Sequence, residues 1–209
     1  MSVQNALGGP IPYTLAMQQQ SGIRVENVLQ ILGRTSYTLE FWYTPTGANG
    51  YAYMNPDADF NTVRFSAHLP YGGTLYFDTG NSSAPTGRLQ FGMPAGFVGS
   101  PHHIAFVVDF ERSKRTVYID GGERYSVAGC EPYIVQDPYP LDFPANQGTV
   151  GEVRYWNYAR SLEQINELKD FSISDKTPGL QMCLRMDERG PSGTKIIDRS
   201  GYARHGRIL

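Results

Sequence analysis

Apolar and polar residues alternate with a period of two over much of the chain, in short runs bounded by Gly and Pro, the pattern of β-strands. Tyr37, Leu39, Phe41 and Tyr43 point one way while Thr38, Glu40, Trp42 and Thr44 point the other, and Pro45, Gly47 and Gly50 end the run. From His103 to Phe110 the residues are apolar on both faces, as in a strand at the middle of a packed sheet. Arg115 to Asp120 follows a charged turn, and Asp120-Gly121-Gly122 accepts the positive φ of a hairpin that folds Val117-Tyr118-Ile119 back on Arg124 to Val127. Leu180, Met182, Leu184 and Met186 alternate with Gln181, Cys183, Arg185 and Asp187, and Gly190 to Gly193 turns the chain before Lys195 to Asp198. One helix is predicted, starting at Ser161, where Ser161 and Gln164 have capping-box spacing and Leu162, Ile165 and Leu168 form an apolar stripe. Pro132, Pro138, Pro140 and Pro144 make Cys130 to Gly148 a long surface loop by the same reasoning.

Composition agrees with an ordered all-β domain. Hydrophobic residues are 40% and charged residues 18% of the 209 positions, enough for a core, and no linker divides residues 1–209 into two domains. The net charge is -2, and no basic run longer than Lys114-Arg115 occurs, which argues against nucleic acid or an anionic membrane as partner. No apolar stretch much longer than Ala105 to Val108 is present, so membrane insertion is not expected. Met1 to Gly9 lacks the basic and apolar regions of a secretory leader, which points to a cytoplasmic or non-classically secreted protein unless a leader has been removed. Cys130 and Cys183 belong to no CxxC or Cys/His cluster and read as two separate thiols or as one disulfide.

Several segments, in order, carry a family resemblance: Tyr37-Thr-Leu-Glu-Phe-Trp-Tyr-Thr-Pro45, His102-His-Ile-Ala-Phe-Val-Val-Asp109 and Thr116-Val-Tyr-Ile-Asp-Gly121. Gly151-Glu-Val-Arg-Tyr-Trp-Asn157, Ala159-Arg-Ser-Leu-Glu-Gln-Ile165, Leu184-Arg-Met-Asp-Glu188, Ile197-Asp-Arg-Ser-Gly201 and His205-Gly206 complete it. Together they resemble laminin-G-like and pentraxin-like members of the concanavalin A-like lectin/glucanase superfamily. Pro101 departs from the pattern, standing where these modules commonly place Trp. The resemblance implies a jelly-roll sandwich of two antiparallel sheets with one short helix. It leaves function open, because one fold hosts many activities.

The glucanases of that superfamily are recognised by two carboxylates at E-x-D-x-x-E spacing, and the sequence contains no such motif. Asp187 and Glu188 are adjacent and face opposite ways, while Asp120 and Glu123 straddle a turn, so neither pair suits a retaining dyad. No G-x-S-x-G surrounds any serine, and the expectation is a protein that is not an enzyme. His102 and His103 are neighbours on an extended strand, face opposite ways and fit a structural role better than a zinc site. Trp42 and Trp156 lie in strand patterns and read as buried aromatics.

Binding then falls to loops. Asp57-x-Asp59-x-Asn61 sets three oxygen ligands at alternate positions, either a calcium loop, as the resemblance supports, or turn capping beside Pro56. It is not an EF-hand, since Thr62 and His68 stand where Gly and Glu are required. Within Tyr71 to Asn81, Asp78, Gly80 and Asn81 place a carboxylate, an open backbone N–H and an amide in one turn, with Tyr71 and Tyr76 as candidate stacking rings. The same Asp-x-Gly-Asn is also ordinary turn chemistry.

The function expected is a non-catalytic lectin with glycans or glycoproteins as partners, rim loops as its site, calcium as its candidate cofactor and a homo-oligomer as its candidate assembly. A laminin-G-like protein–protein adhesion module is the alternative, and a glycoside hydrolase a distant third.

Overall fold

The structure, a computed structural model, describes residues 7–10, 22–28, 33–56, 64–130, 139–144, 147–173 and 177–209. Its first strands are β1 (Leu7–Pro10), β2 (Ile23–Val25), β3 (Tyr37–Pro45), β4 (Asn49–Met54), β5 (Arg64–Tyr71), β6 (Thr74–Gly80), β7 (Arg88–Gly92) and β8 (His102–Asp109). They are followed by β9 (Lys114–Ile119), β10 (Gly122–Ala128), β11 (Leu141–Phe143), β12 (Gly148–Trp156), helix α1 (Leu162–Leu168), β13 (Phe171–Ile173), β14 (Leu180–Arg189), β15 (Lys195–Asp198) and β16 (Gly206–Ile208). The alternating runs thus become β3, β8, β9, β10, β14 and β15, and the single predicted helix is α1. Its capping box is complete: the Gln164 amide N–H donates to Ser161 Oγ and the Ser161 N–H to Gln164 Oε1.

Fourteen strands form one antiparallel ladder in the order β10-β9-β8-β3-β12-β14-β15-β16-β2-β11-β4-β5-β6-β7, while β1 pairs with β13 apart from it. β8 and β6 stand ten steps apart in this order, roughly 48 Å in a flat sheet. Yet the rings of Phe106 on β8 and Phe77 on β6 stack at 4.9 Å. Phe41 on β3 likewise meets Tyr53 on β4 edge-on at 5.9 Å, and Tyr125 on β10 stacks on Phe91 of β7 at 5.4 Å. The ladder therefore folds over on itself, and its two ends close against each other. Where two separate sheets are expected, β16 joins the halves by pairing with β15 on one side and β2 on the other. A second difference lies in the proline-rich segment, where β11, buried throughout, pairs with β2 and β4 between Pro140 and Pro144.

The core is the space between the halves. Tyr37, Leu39, Phe41, Tyr43, Ile104, Phe106 and Val117 fill it from one side, and Tyr53, Phe65, Ala67, Leu75, Phe77 and Leu89 from the other. The opposite face of β3, β8 and β12 is covered by the α1 region and carries buried charge. Glu40 Oε1 accepts from Trp156 Nε1 (2.9 Å), Arg160 Nη1 (2.6 Å) and Arg154 Nη1 (3.5 Å). Arg154 also donates to Glu152 Oε1 at 2.6 Å and to the carbonyls of Leu168 and Phe171, tying helix and β13 to the ladder. Burial would raise the Glu40 carboxyl, but Arg160 and Arg154 outweigh it and leave it below its ordinary value. Trp156 is fully buried as expected, whereas Trp42 is half-buried, its Nε1 donating to the Lys169 carbonyl at 3.0 Å.

Candidate functional site

On β4 to β7 the residues that face away from the core form a row of rings crossing the strands. His68 lies at its centre, 3.8 Å from the Tyr51 ring, 5.2 Å from Tyr71 and 6.0 Å from Tyr76 by ring centroids. Arg88 continues it, its guanidinium 4.9 Å above the Tyr76 ring. Tyr71 is 54% exposed and is the most open ring of the group.

Two register shifts build this row. On β4, Tyr51 pairs with His68 but Tyr53 with Ala67, so two steps on one strand meet one on the other. Tyr51 therefore faces outward while Tyr53 enters the core. On β5 and β6, His68 pairs with Tyr76 but Tyr71 with Thr74, three steps against two. That extra residue returns Tyr71 to the side of His68, which strict alternation would deny it.

Charge holds the row in place. Asp78 is fully buried, and Arg88 grips it bidentately, Nε to Oδ1 at 2.6 Å and Nη2 to Oδ2 at 2.9 Å. Arg64 Nε lies 2.9 Å from Asp78 Oδ2 and also donates to Ser66 Oγ, while Arg64 Nη2 approaches His68 Nε2 at 3.2 Å. Burial and the Arg64 guanidinium push the His68 imidazole down to about 4, so at neutral pH it is uncharged.

The four sugar-site residues expected from sequence are thus divided. Tyr71 joins the row directly. Asp78 sits beneath it as an anchor for Arg64 and Arg88 rather than as an open ligand group. Gly80, at φ 65°, and Asn81 lie at the other end of β6 from Tyr71, about 20 Å along the strand. Asn81 caps its own turn, its Oδ1 accepting from Ser83 N at 2.9 Å, and a Cβ on Gly87 would come within 1.7 Å of its carbonyl oxygen. Asp57, Asp59 and Asn61 lie outside the described residues. Among the described residues no group of three or more His, Cys, Asp or Glu side chains gathers as a metal site. His68, Tyr51, Arg64 and Arg88 are missed by the sequence reading, although Arg64, Ser66 and His68 alternate with Phe65, Ala67 and Leu69 as one outward polar face.

His102 and His103 diverge as expected: His102 Nδ1 meets Asp120 Oδ2 at 2.7 Å, and His103 is buried beside Glu40. Cys130 and Cys183 are separate thiols. A concavity of about 330 Å³ lies beside α1, with Asp109, Lys114, Thr116, Tyr118 and Glu163 in its lining. Arg112 pairs there with Asp109 at 2.7 Å and Lys114 with Glu123 at 3.8 Å, and no row of rings lines it.

No curated protein matches the sequence. Among solved structures the chain is similar to a Bacteroides ovatus ATCC 8483 protein whose carbohydrate-binding assignment is itself provisional, with TM-score 0.66, 15% identity and coverage of 97% of this chain. The chain spans 58% of that protein's length. It is similar also to domain 4 of AbnA, a GH43 extracellular arabinanase from Geobacillus stearothermophilus, solved with arabinotriose: TM-score 0.56, 20% identity, 77% of this chain and 82% of that one. A third likeness is to the botulinum neurotoxin serotype D binding domain, with TM-score 0.51, 13% identity, 71% of this chain and 42% of that one. At such identities the likeness is one of fold. The sequence itself decides the family: residues 18–166 match a laminin-G model, and the chain belongs to the concanavalin A-like lectin/glucanases superfamily.

Proposed function

We propose that this domain is a non-catalytic glycan-binding module whose contact surface is the outer face of β4 to β7. The observation that carries this reading is the row Tyr71–His68–Tyr76 with Tyr51 beside it, set by two bulges on a sheet face. Sugar rings offer an apolar face to aromatics and hydroxyls to polar groups, and this row alternates rings with guanidinium and imidazole nitrogen. Tyr71 is the stacking ring, Arg88 and His68 supply polar contacts, and Asp78 acts through Arg88 as a positioning residue. The names of the similar structures, one a carbohydrate-binding assignment and one a domain solved with arabinotriose, support the reading.

Absence of hydrolysis is part of the proposal. Its support is that Asp78 is saturated by two arginines and that Glu40 and Glu152 are buried in ion pairs on the other half of the ladder. Calcium enters through Asp57, Asp59 and Asn61, whose oxygens are the right type for that ion. Self-association enters because one weak sugar site gains from multivalency. A monomeric mass at every concentration in sedimentation would remove it.

The test is a glycan array of the purified chain, run with calcium and with EDTA, beside Tyr71→Ala. Binding that Tyr71→Ala weakens about tenfold or more supports the platform. Loss in EDTA supports the calcium loop, and retention discards it. No binding in either condition overturns the glycan reading in favour of a protein–protein adhesion module.

A further inference from the structure

The row of rings runs straight across the strands. Tyr51 pairs with His68, His68 with Tyr76 and Tyr76 with Gln90, so each of β4, β5, β6 and β7 gives the row one outward residue. Tyr51, His68 and Tyr76 are half-buried and Gln90 is exposed, which leaves surface open along the line. Three strand gaps make that line about 14 Å long. β7 is the last strand of the described ladder, so no strand of that ladder closes the row beyond Gln90.

The sides of the row differ from its β7 end. Two steps to either side of Tyr76 along β6, Thr74 pairs with Tyr71 of β5 and Asp78 pairs with Arg88 of β7. Tyr71 and Arg88 therefore stand on opposite flanks, and the row is bounded at its sides and unbounded at its β7 end.

Its spacing carries the argument further. Neighbouring strands lie about 4.8 Å apart, and a chain of six-membered sugars linked equatorially through both ends of each ring is extended and advances by nearly that distance per sugar. Laid across β4 to β7, such a chain meets one outward side chain per sugar and keeps that register over all four strands. A chain with axial links coils and loses the register, and a branch meets Tyr71 or Arg88 at the flanks.

We propose that the platform takes the interior of an unbranched, extended glycan, one sugar per strand from β4 to β7, and not a chain terminus. The proposal rests on the glycan reading above and adds the class of ligand to it. Gln90 is the group that serves the sugar over β7.

The experiment is calorimetric titration of the full chain with cello-, xylo- and manno-oligosaccharides of two to six sugars, all equatorially linked. Malto-oligosaccharides of the same lengths, whose axial link coils the chain, run beside them. In at least one equatorial series affinity rises about three- to tenfold with each added sugar up to four and is level beyond. At equal length the malto series binds about tenfold or more weaker than that series. Gln90→Ala, a change at an exposed position, brings the affinity for four sugars close to that for three and leaves that for two unchanged. Circular dichroism shows that the variant is folded, and Gln90→Glu, which keeps the side-chain length, carries the test if it is not.

Affinity that is level from two sugars to six assigns binding to a chain end and overturns the proposal while leaving the platform standing. An equal rise in the malto series does the same, as does binding on a wider array confined to branched or axially linked glycans. A folded Gln90 variant that binds four sugars as before overturns the four-strand register. No binding of any series, with none on the wider array, overturns the platform and this proposal together.

Discussion

The rings of Tyr51 and His68 lie 3.8 Å apart with their planes tilted by 36°, and that contact exists because β4 carries one extra residue between Tyr51 and Tyr53. The tyrosine shields the imidazole from water on a face that also holds Arg64, Asp78, Arg88, Tyr71 and Tyr76. Removing it with Tyr51→Ala should let the His68 pKa rise from about 4 by about one unit or more. Proton-detected NMR titration of the four histidines in both proteins measures this, and an unmoved His68 would show that Arg64 rather than burial sets its value.

Glu40 pairs with two buried arginines, and its loss leaves Arg154 with Glu152 alone and takes from Arg160 its carboxylate partner. Glu40→Gln is expected to cost about 3 to 5 kcal/mol of stability, read from the urea midpoint. Glycan affinity of the folded fraction should not change, since Glu40 lies on the other half of the ladder. A loss below about 1 kcal/mol would mean the arginines find other partners.

Acid should unfold the protein from this same cluster. His103 is held near 4 by burial, against 6.5 in an unfolded chain, while Arg160 and Arg154 outweigh burial and hold Glu40 below its ordinary value. For both groups the unfolded chain takes up protons first, so stability is full above about pH 6.5 and falls as the pH drops towards 4. Each histidine so placed contributes at most about 1.4 kcal/mol per pH unit in that window. Denaturation midpoints from pH 8 to pH 4, with His103→Asn for comparison, test the assignment; equal slopes in the two proteins would refute it.

Ser161→Ala removes half of the capping box and should cost about 1 kcal/mol. Amide exchange would show the loss concentrated in α1, with the β4 to β7 amides protected as before.

Strands β3, β8, β9, β10, β14 and β15 and the helix were legible because a period of two or 3.6 survives in the residues themselves, as in Tyr37–Thr44 and Leu162–Leu168. The platform was not, because a bulge inserts one residue without disturbing composition. Tyr51-Ala52-Tyr53 reads as two rings on one face, and Tyr71 reads as lying opposite His68. β11 escaped because three residues between prolines show no period. Asp78 was found, but its role was hidden: Arg64 and Arg88 reach it across neighbouring strands, a relation that spacing along the chain does not encode.

The join between the ladder halves has a consequence for biosynthesis. β16, at Gly206–Ile208, is the strand that bridges β15 to β2, at Ile23–Val25. A nascent chain can assemble the platform hairpins early, since β4 to β7 are consecutive and their pairings local, yet it cannot seal the ladder until its last strand has left the ribosome. The order of synthesis and the order of the ladder are thus opposed at this seam, and the glycan face can be in place before the domain that supports it is closed.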